Sequence, residues 1–121
     1  MNQITETRDR RGASRFELLE YAIVRSNHVD EARSVVVDVS LGGLQLRSRH
    51  SFEAGTEVVV LIGRLGQDPI RIRGEVRYSV PLEGSDLTGT GVKVLPSSTR
   101  DRVAWADFVH ANFRRTKDLL I

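Results

Sequence analysis

The stretch Ile70–Val80, IRIRGEVRYSV, has the clearest strand pattern in this 121-residue chain. Apolar and polar residues alternate along it. The alternation predicts one face with Ile70, Ile72, Val76, Tyr78 and Val80, and an opposite face with Arg71, Arg73, Glu75, Arg77 and Ser79. A period of two with one wet side is typical of an antiparallel sheet. Gly74 interrupts the apolar face and predicts a bend or a bulge there.

Shorter strand-like segments lie on both sides of this stretch. They begin near Leu18 and continue at Val35–Val39, Leu44–Arg47, Glu57–Ile62 and Gly91–Leu95. Gly42-Gly43 separates two of them, which predicts a hairpin. About six short antiparallel strands commonly close into a small barrel, and closure removes exposed sheet edges.

A helix is predicted after the last strand. Ser98 and Asp101 have the spacing of a capping box, just beyond the break at Pro96. An apolar stripe then recurs at helical spacing, formed by Trp105, Phe108, Val109 and Phe113. We expect this stripe to face the core. The predicted fold is mainly β, a six-stranded antiparallel barrel over residues 16–121 with a C-terminal helix at about 98–118. A flexible N-terminal arm, residues 1–15, precedes it.

The composition excludes several classes of function. The length suits one domain, and 18 basic against 16 acidic residues give a net charge of +2, which excludes a polycation that coats nucleic acid by charge alone. Lysine occurs only at Lys93 and Lys117, so sixteen of the basic residues are arginine. The longest apolar run, Val58–Ile62, is far too short for a membrane helix. We expect a cytoplasmic protein that is not embedded in a membrane.

The sequence carries no sign of an enzyme. It has no cysteine, and its histidines, His28, His50 and His110, are far apart and lack metal-ligand spacing. Neither a nucleophile elbow, a P-loop nor a dinucleotide fingerprint is present. We therefore predict no catalytic residues, no metal site and no cofactor.

Two short motifs stand out. The first is Arg11-Gly-Ala-Ser-Arg15, preceded by Arg10, in which two arginine forks four residues apart can enter one space. The alternative interpretation is that the two arginines are a solvated pair in a polar tail. The second is Asp38-Val-Ser40-Leu-Gly-Gly43, where a carboxylate and a hydroxyl two residues apart share one strand face. Its plain alternative is a hairpin turn stabilised by those side chains.

Taken together, RxxxR followed by DxSxxG resembles the PilZ domain family. The matching positions are Arg11, Arg15, Asp38, Ser40 and Gly43. Later strands resemble the family as well, at Gly42–Leu46, Gly55–Val58, Gly74–Arg77 and Gly91–Val94. The resemblance extends over about residues 8–115 and includes the order of barrel and helix.

The resemblance implies binding of cyclic di-GMP, a bacterial second messenger. In the family, the RxxxR arginines contact phosphate and the Hoogsteen edge of guanine, so Arg11 and Arg15 are expected to do so here. By the same analogy, Asp38 and Ser40 hold a guanine edge and Gly43 permits the turn. A basic residue before RxxxR goes with binding of a stacked nucleotide pair, and Arg10 stands at that position.

The leading prediction is a receptor and adaptor. Cyclic di-GMP would bridge the arm to the barrel, order the arm, and signal through an unidentified effector protein or through self-association as a homodimer. One alternative is a PilZ-type interaction module that does not depend on nucleotide and uses the barrel and the Trp105–Phe113 helix.

A further alternative is a DNA- or RNA-binding barrel that uses Arg71, Arg73 and Arg77 on one strand face. Glu75 interrupts this stripe, and no aromatic residue is interleaved for base stacking. A solvated face is the preferred interpretation, so no polymeric nucleic acid is expected as a partner.

Overall fold

The computed structural model describes the backbone of residues 6–8, 14–64, 67–95 and 97–119, and the side chains of residues 20–63, 68–95 and 97–112. Its elements are β1 (Glu6–Arg8), β2 (Ser14–Arg25), β3 (Ala32–Ser40), β4 (Gly43–Ser48), β5 (Glu57–Arg64), β6 (Gln67–Pro81), β7 (Thr88–Val94) and α1 (Thr99–Leu119). Among these described residues, no helix is long and apolar enough to span a membrane.

Six strands close into an antiparallel barrel. They are hydrogen-bonded in the order β2-β3-β4-β7-β6-β5, and β5 pairs back onto β2, for example at Ala22 and Ile62. This confirms the predicted fold class. Strand β1 pairs with Ser14–Phe16 at the start of β2. Strand β2 therefore begins earlier than the Leu18 expected from the pattern.

Branched apolar side chains at alternate positions fill much of the barrel. In β5, for example, Val58, Val60 and Ile62 are all buried. Burial of such side chains stabilises each strand by about 1.5–3 kcal/mol per residue. The alternate position Glu57 is exposed, and Val59 and Leu61 are half-buried.

Helix α1 packs against β2 and β6. Its apolar stripe faces the core as predicted, because Trp105, Phe108 and Val109 are buried and join the barrel core. Phe113, the fourth residue of the predicted stripe, lies outside the described side chains. The helix starts where expected: the Asp101 N–H donates to Ser98 Oγ at 3.2 Å. The Asp101 carboxylate lies 3.7 Å from Arg71 on β6.

The predicted face of β6 is wrong in its second half. Val76 is buried against Val92, but Tyr78 and Val80 are 40% and 48% exposed. The register between β6 and β7 shifts between Val76 and Tyr78, so Arg77 is an extra residue that reverses the alternation. Simple periodicity cannot reveal such a shift, because it depends on the partner strand.

The same bulge turns Ser79 inward. Its hydroxyl lies 3.0 Å from Thr90 Oγ1 and accepts a hydrogen bond from the Phe52 N–H at 3.2 Å. Gly74 is not the bulge position. It is buried, and a Cβ there would collide with the Val92 side chain, so glycine makes room for β7.

Candidate functional site

Asp38 is directed outward by a bulge in β3. Ala32, Ser34 and Val36 are buried in strict alternation, which would also place residue 38 inside. The register between β3 and β4 shifts between Val36 and Asp38, so the strand gains a residue there. Val39 consequently enters the core, while Asp38 is only half-buried. The carboxylate therefore faces the exterior of the barrel.

Ser40 lies on the same exterior face, at the end of β3. It pairs with Gly43 across a two-residue loop, Leu41-Gly42, which confirms the predicted hairpin with a loop one residue earlier than Gly42-Gly43. The Ser40 hydroxyl donates to the Gly43 carbonyl at 3.4 Å. The Asp38 carboxylate and the Ser40 hydroxyl are thus two residues apart on a strand that ends in a tight turn.

Gly43 is required for space and not for an unusual backbone angle. Its φ is not in the left-handed region, which only Gly55 and Gly84 occupy among the described residues. A Cβ at position 43 would lie 2.6 Å from the Val92 carbonyl oxygen of β7. Glycine therefore lets β7 approach the hairpin closely, a reason different from the predicted turn.

Position 15 comes close to this hairpin in the register of the barrel. Phe16 pairs with Val39 and Glu17 with Asp38, so Arg15 precedes two residues whose partners adjoin Ser40. The Arg15 backbone also pairs with Thr7 of β1. Its side chain lies outside the described residues.

The two other predicted site arginines precede Arg15 in the arm. Arg10 and Arg11 both lie outside the described residues, and their part in the site stays a prediction. The flexibility predicted for residues 1–15 is likewise untested, although Glu6–Arg8 belong to a paired strand.

Sequence reasoning missed a pair of residues in the same row of the barrel as Asp38. Gln45 is the cross-strand partner of Asp38, Gly91 is the partner of Gln45, and Tyr78 is the partner of Gly91. The Tyr78 ring lies over Gly91, where a Cβ would collide with it. The Gln45 side-chain amide donates to the Tyr78 hydroxyl.

A fixed aromatic ring therefore lies on the same exterior surface as the carboxylate. The bulge at Arg77 brings Tyr78 outward, and this bulge is the reason that the sequence pattern misassigned it. In the sequence, Gly91 could have indicated this arrangement, because a glycine within a strand often marks a site that a neighbouring group covers.

A lysine completes the polar groups of this surface. Lys93 is exposed and pairs with Gly43 on one side and with Glu75 on the other. The hairpin and the neighbouring strands β6 and β7 thus offer carboxylate, hydroxyl, amide, phenol and ammonium groups on one face, a set suited to a polar ligand with both donors and anionic groups. In the described part of the chain, no cluster of three or more histidine, aspartate or glutamate side chains is placed to hold a metal ion.

The hairpin loop is held by two other elements. The Val94 N–H of β7 donates to the Gly42 carbonyl at 2.9 Å. The Trp105 indole N–H of α1 donates to the Leu41 carbonyl at 3.1 Å. Both loop peptides therefore have partners from outside the hairpin, which fixes the turn after Ser40.

The arginine stripe on β6 presents paired charges. Arg71 lies 3.7 Å from Asp101, Arg77 lies 3.5 Å from Glu75, and Arg73 pairs with the Glu57 carboxylate of β5. These exposed pairs contribute little to stability. They reduce the net positive charge that a binder of polymeric nucleic acid needs.

The sequence model of the PilZ domain matches residues 9–111 of the chain. Its fold is shared by the PilZ domain of YcgR from Escherichia coli, solved with c-di-GMP, with a TM-score of 0.73 at 11% identity. That match covers 93% of this chain and 98% of the YcgR domain.

A second structure of the same fold is the Bacillus subtilis inhibitor of motility MotI/DgrA, with a TM-score of 0.70 at 17% identity over 91% of this chain. The chain spans about half of MotI, since 53% of that protein is covered. No curated protein matches the chain in sequence. Because the family model matches most of its length, the chain belongs to the PilZ domain family.

Proposed function

We propose that this protein is a cyclic di-GMP-binding receptor and adaptor. Two findings support the proposal: its membership of the PilZ family, and its fold likeness to a YcgR domain solved with that nucleotide. The observation that carries it is the outward placement of Asp38 and Ser40 on one face, beside a turn that has no side chain at Gly43.

Guanine suits this pair of side chains. Its N1–H and N2–H₂ groups form a donor edge, and one carboxylate can accept from both at once. Asp38 takes that role in the proposal, and the Ser40 hydroxyl adds a further hydrogen bond. Charge-assisted hydrogen bonds of this kind are roughly twice as strong as neutral ones.

Arginines form the other half of the proposed nucleotide site. The Arg15 backbone precedes Phe16 and Glu17, whose partners Val39 and Asp38 adjoin Ser40. In the proposal Arg11 and Arg15 contact the phosphates and the guanine O6 and N7 atoms, for which the arginine fork is well matched. Arg10 extends the site to a second, stacked nucleotide.

The exterior row beyond Asp38 provides additional contact area. Tyr78 presents an aromatic face on which a base can stack, and Gln45 holds its hydroxyl. Lys93, next to Gly43 in register, places a positive charge beside the nucleotide phosphates.

Signal output follows from ordering the N-terminal arm. Bridging the arm to the barrel changes the protein surface, and the altered surface is read by an effector protein or by a second copy of the chain. No chemical step is proposed, and the protein acts in the cytoplasm by binding.

Isothermal titration calorimetry with cyclic di-GMP tests the function. The unmodified protein is expected to bind, and Arg15→Ala to bind at least about 10-fold more weakly, since a charge-assisted bidentate contact is lost. The matched control is Arg49→Ala, an exposed arginine beside Asp86 just beyond the opposite end of β4. Absence of binding by the unmodified protein, or equal affinities for the two variants, contradicts the proposal.

Exposed apolar side chains favour a second candidate, a protein-interaction module that does not need nucleotide. Tyr21 is 83% exposed and pairs with Val35. Val80, 48% exposed, lies in the same row, from which Arg47 and Gly89 separate it. Recovery of a partner equally well with and without nucleotide, and its loss in Tyr21→Ser, would support this candidate.

A further inference from the structure

Trp105 links the C-terminal helix to the hairpin that carries Ser40. It is the single tryptophan of the chain and is 3% exposed. Its indole N–H donates to the Leu41 carbonyl across 64 sequence positions at 3.1 Å. A buried indole N–H normally has such a partner, and this partner is the carbonyl of the residue that follows Ser40.

Hydrogen bonds to its two carbonyls hold the loop between Ser40 and Gly43. The Leu41 side chain is 57% exposed, so its own packing does not hold the loop. On the far side of the loop, the Val94 N–H fixes the Gly42 carbonyl. The Leu41-Gly42 peptide is therefore held by α1 and the Gly42-Gly43 peptide by β7, so both elements fix the loop between Ser40 and Gly43.

Helix α1 docks on the barrel through one continuous apolar stripe. Trp105 and Phe108 are neighbours in it, with ring centroids 5.7 Å apart, and Val109 lies beside them in the core. At the N-terminal end of the helix, Asp101 lies 3.7 Å from Arg71, an exposed pair of small energetic value. A change in helix docking must therefore move Trp105 and release Leu41.

We propose that α1 is a regulatory element of the nucleotide site, with Trp105 as the positioning residue that couples them. The inference rests on the proposed function. Docked α1 holds the loop in the conformation that presents Ser40. By linkage, nucleotide bound at the hairpin favours docked α1 by the same factor. A protein that displaces α1 thus weakens nucleotide binding, and a protein that clamps it strengthens binding.

The test compares Trp105→Phe with Phe108→Leu. Both remove apolar volume from the same stripe, but only the first removes the hydrogen bond to Leu41. We expect Trp105→Phe to weaken cyclic di-GMP binding by roughly 2- to 10-fold, the value of one hydrogen bond. Phe108→Leu, at similar loss of stability, is expected to keep the affinity of the unmodified protein. Equal affinities of the two variants overturn the coupling.

A nucleotide-free measurement separates this inference from the proposed function. Amide hydrogen exchange at Val94, whose N–H is bonded to Gly42, is expected to be faster in Trp105→Phe than in Phe108→Leu. If the unmodified protein does not bind cyclic di-GMP, the proposed function fails, and the Val94 rate alone decides whether α1 controls the loop. An unchanged Val94 rate in Trp105→Phe overturns the inference even if nucleotide binds.

The unmodified protein offers a further readout should Trp105→Phe fail to fold. Its single indole N–H gives one ¹H–¹⁵N signal, which is expected to shift and to exchange more slowly when cyclic di-GMP is added. An indole signal that is unaffected by saturating nucleotide contradicts the coupling.

Discussion

At the scale of single residues, the orientation of Asp38 depends on one extra residue in β3. Without the register shift after Val36, alternation would place the carboxylate in the barrel core, where an unpaired charge is very costly. The bulge gives the strand a buried Val39 and an outward Asp38 side by side. Bulges next to binding sites commonly re-aim a side chain in this way.

Replacing Asp38 by asparagine tests the guanine contact. Asp38→Asn keeps the size but replaces one acceptor oxygen by a donor, so the guanine N1–H and N2–H₂ groups lose a joint acceptor. We expect cyclic di-GMP binding to weaken about 10-fold or more in calorimetry. Asp86→Asn, exposed and paired with Arg49 away from the hairpin, is the control and is expected to bind as the unmodified protein does.

Substitutions at Gly43 and Gly42 test whether the close approach of β7 requires a glycine at position 43. A Cβ at position 43 meets the Val92 carbonyl oxygen at 2.6 Å, whereas one at position 42 meets nothing within 4 Å. We expect Gly43→Ala to lower the free energy of unfolding by about 1–3 kcal/mol. Gly42→Ala should change it by no more than about 0.5 kcal/mol. Urea unfolding measures both, and equal effects would show that β7 does not constrain Gly43.

At the scale of elements, local pattern predicted what depends on a single strand or helix. The strand at Glu57–Ile62, the hairpin after β3 and the start of α1 near Ser98 were all predicted correctly. The outward orientation of the Tyr78 and Val80 side chains could not be predicted, because a bulge is set by the register with the neighbouring strand. The Gln45–Tyr78 contact was missed for the same reason, since it joins strands that are not consecutive.

The cap of α1 can be tested at this scale. Ser98 Oγ accepts from the Asp101 N–H at 3.2 Å, and its carbonyl accepts from the Arg102 N–H at 3.0 Å. Ser98→Ala removes the side-chain bond and is expected to lower the free energy of unfolding by about 0.5–2 kcal/mol in urea titrations. Thr99→Ala, one residue later and exposed, should have little effect. A Ser98→Ala variant as stable as Thr99→Ala would contradict the assignment of the cap.

At the scale of the whole molecule, closure of the barrel brings the site together. The pairing of β2 with both β3 and β5 makes the sheet continuous and places the residues that follow the RxxxR motif beside the end of β3. The order and spacing of the two motifs indicated this proximity in the sequence. The contribution of Arg10 and Arg11 stays a prediction, because both lie outside the described residues.

A nucleotide that binds only the folded protein raises its melting temperature. At a concentration about 100-fold above Kd, the added stability is about 2.7 kcal/mol. We expect cyclic di-GMP to raise Tm by roughly 5 °C or more in a thermal scan. Cyclic di-AMP is the matched control, because adenine lacks the N1–H and N2–H₂ donors that Asp38 accepts from. Equal stabilisation by both nucleotides would exclude a guanine-specific contact.

The location of the site is tested most directly by following backbone amide signals during titration with cyclic di-GMP. We expect the signals of Asp38–Gly43, at the hairpin, to shift as the nucleotide is added. Signals around Arg49 and Asp86, beyond the opposite end of β4, should stay in place. Unchanged signals for Asp38–Gly43, or shifts confined to the Arg49–Asp86 region, would contradict the proposed location of the nucleotide site.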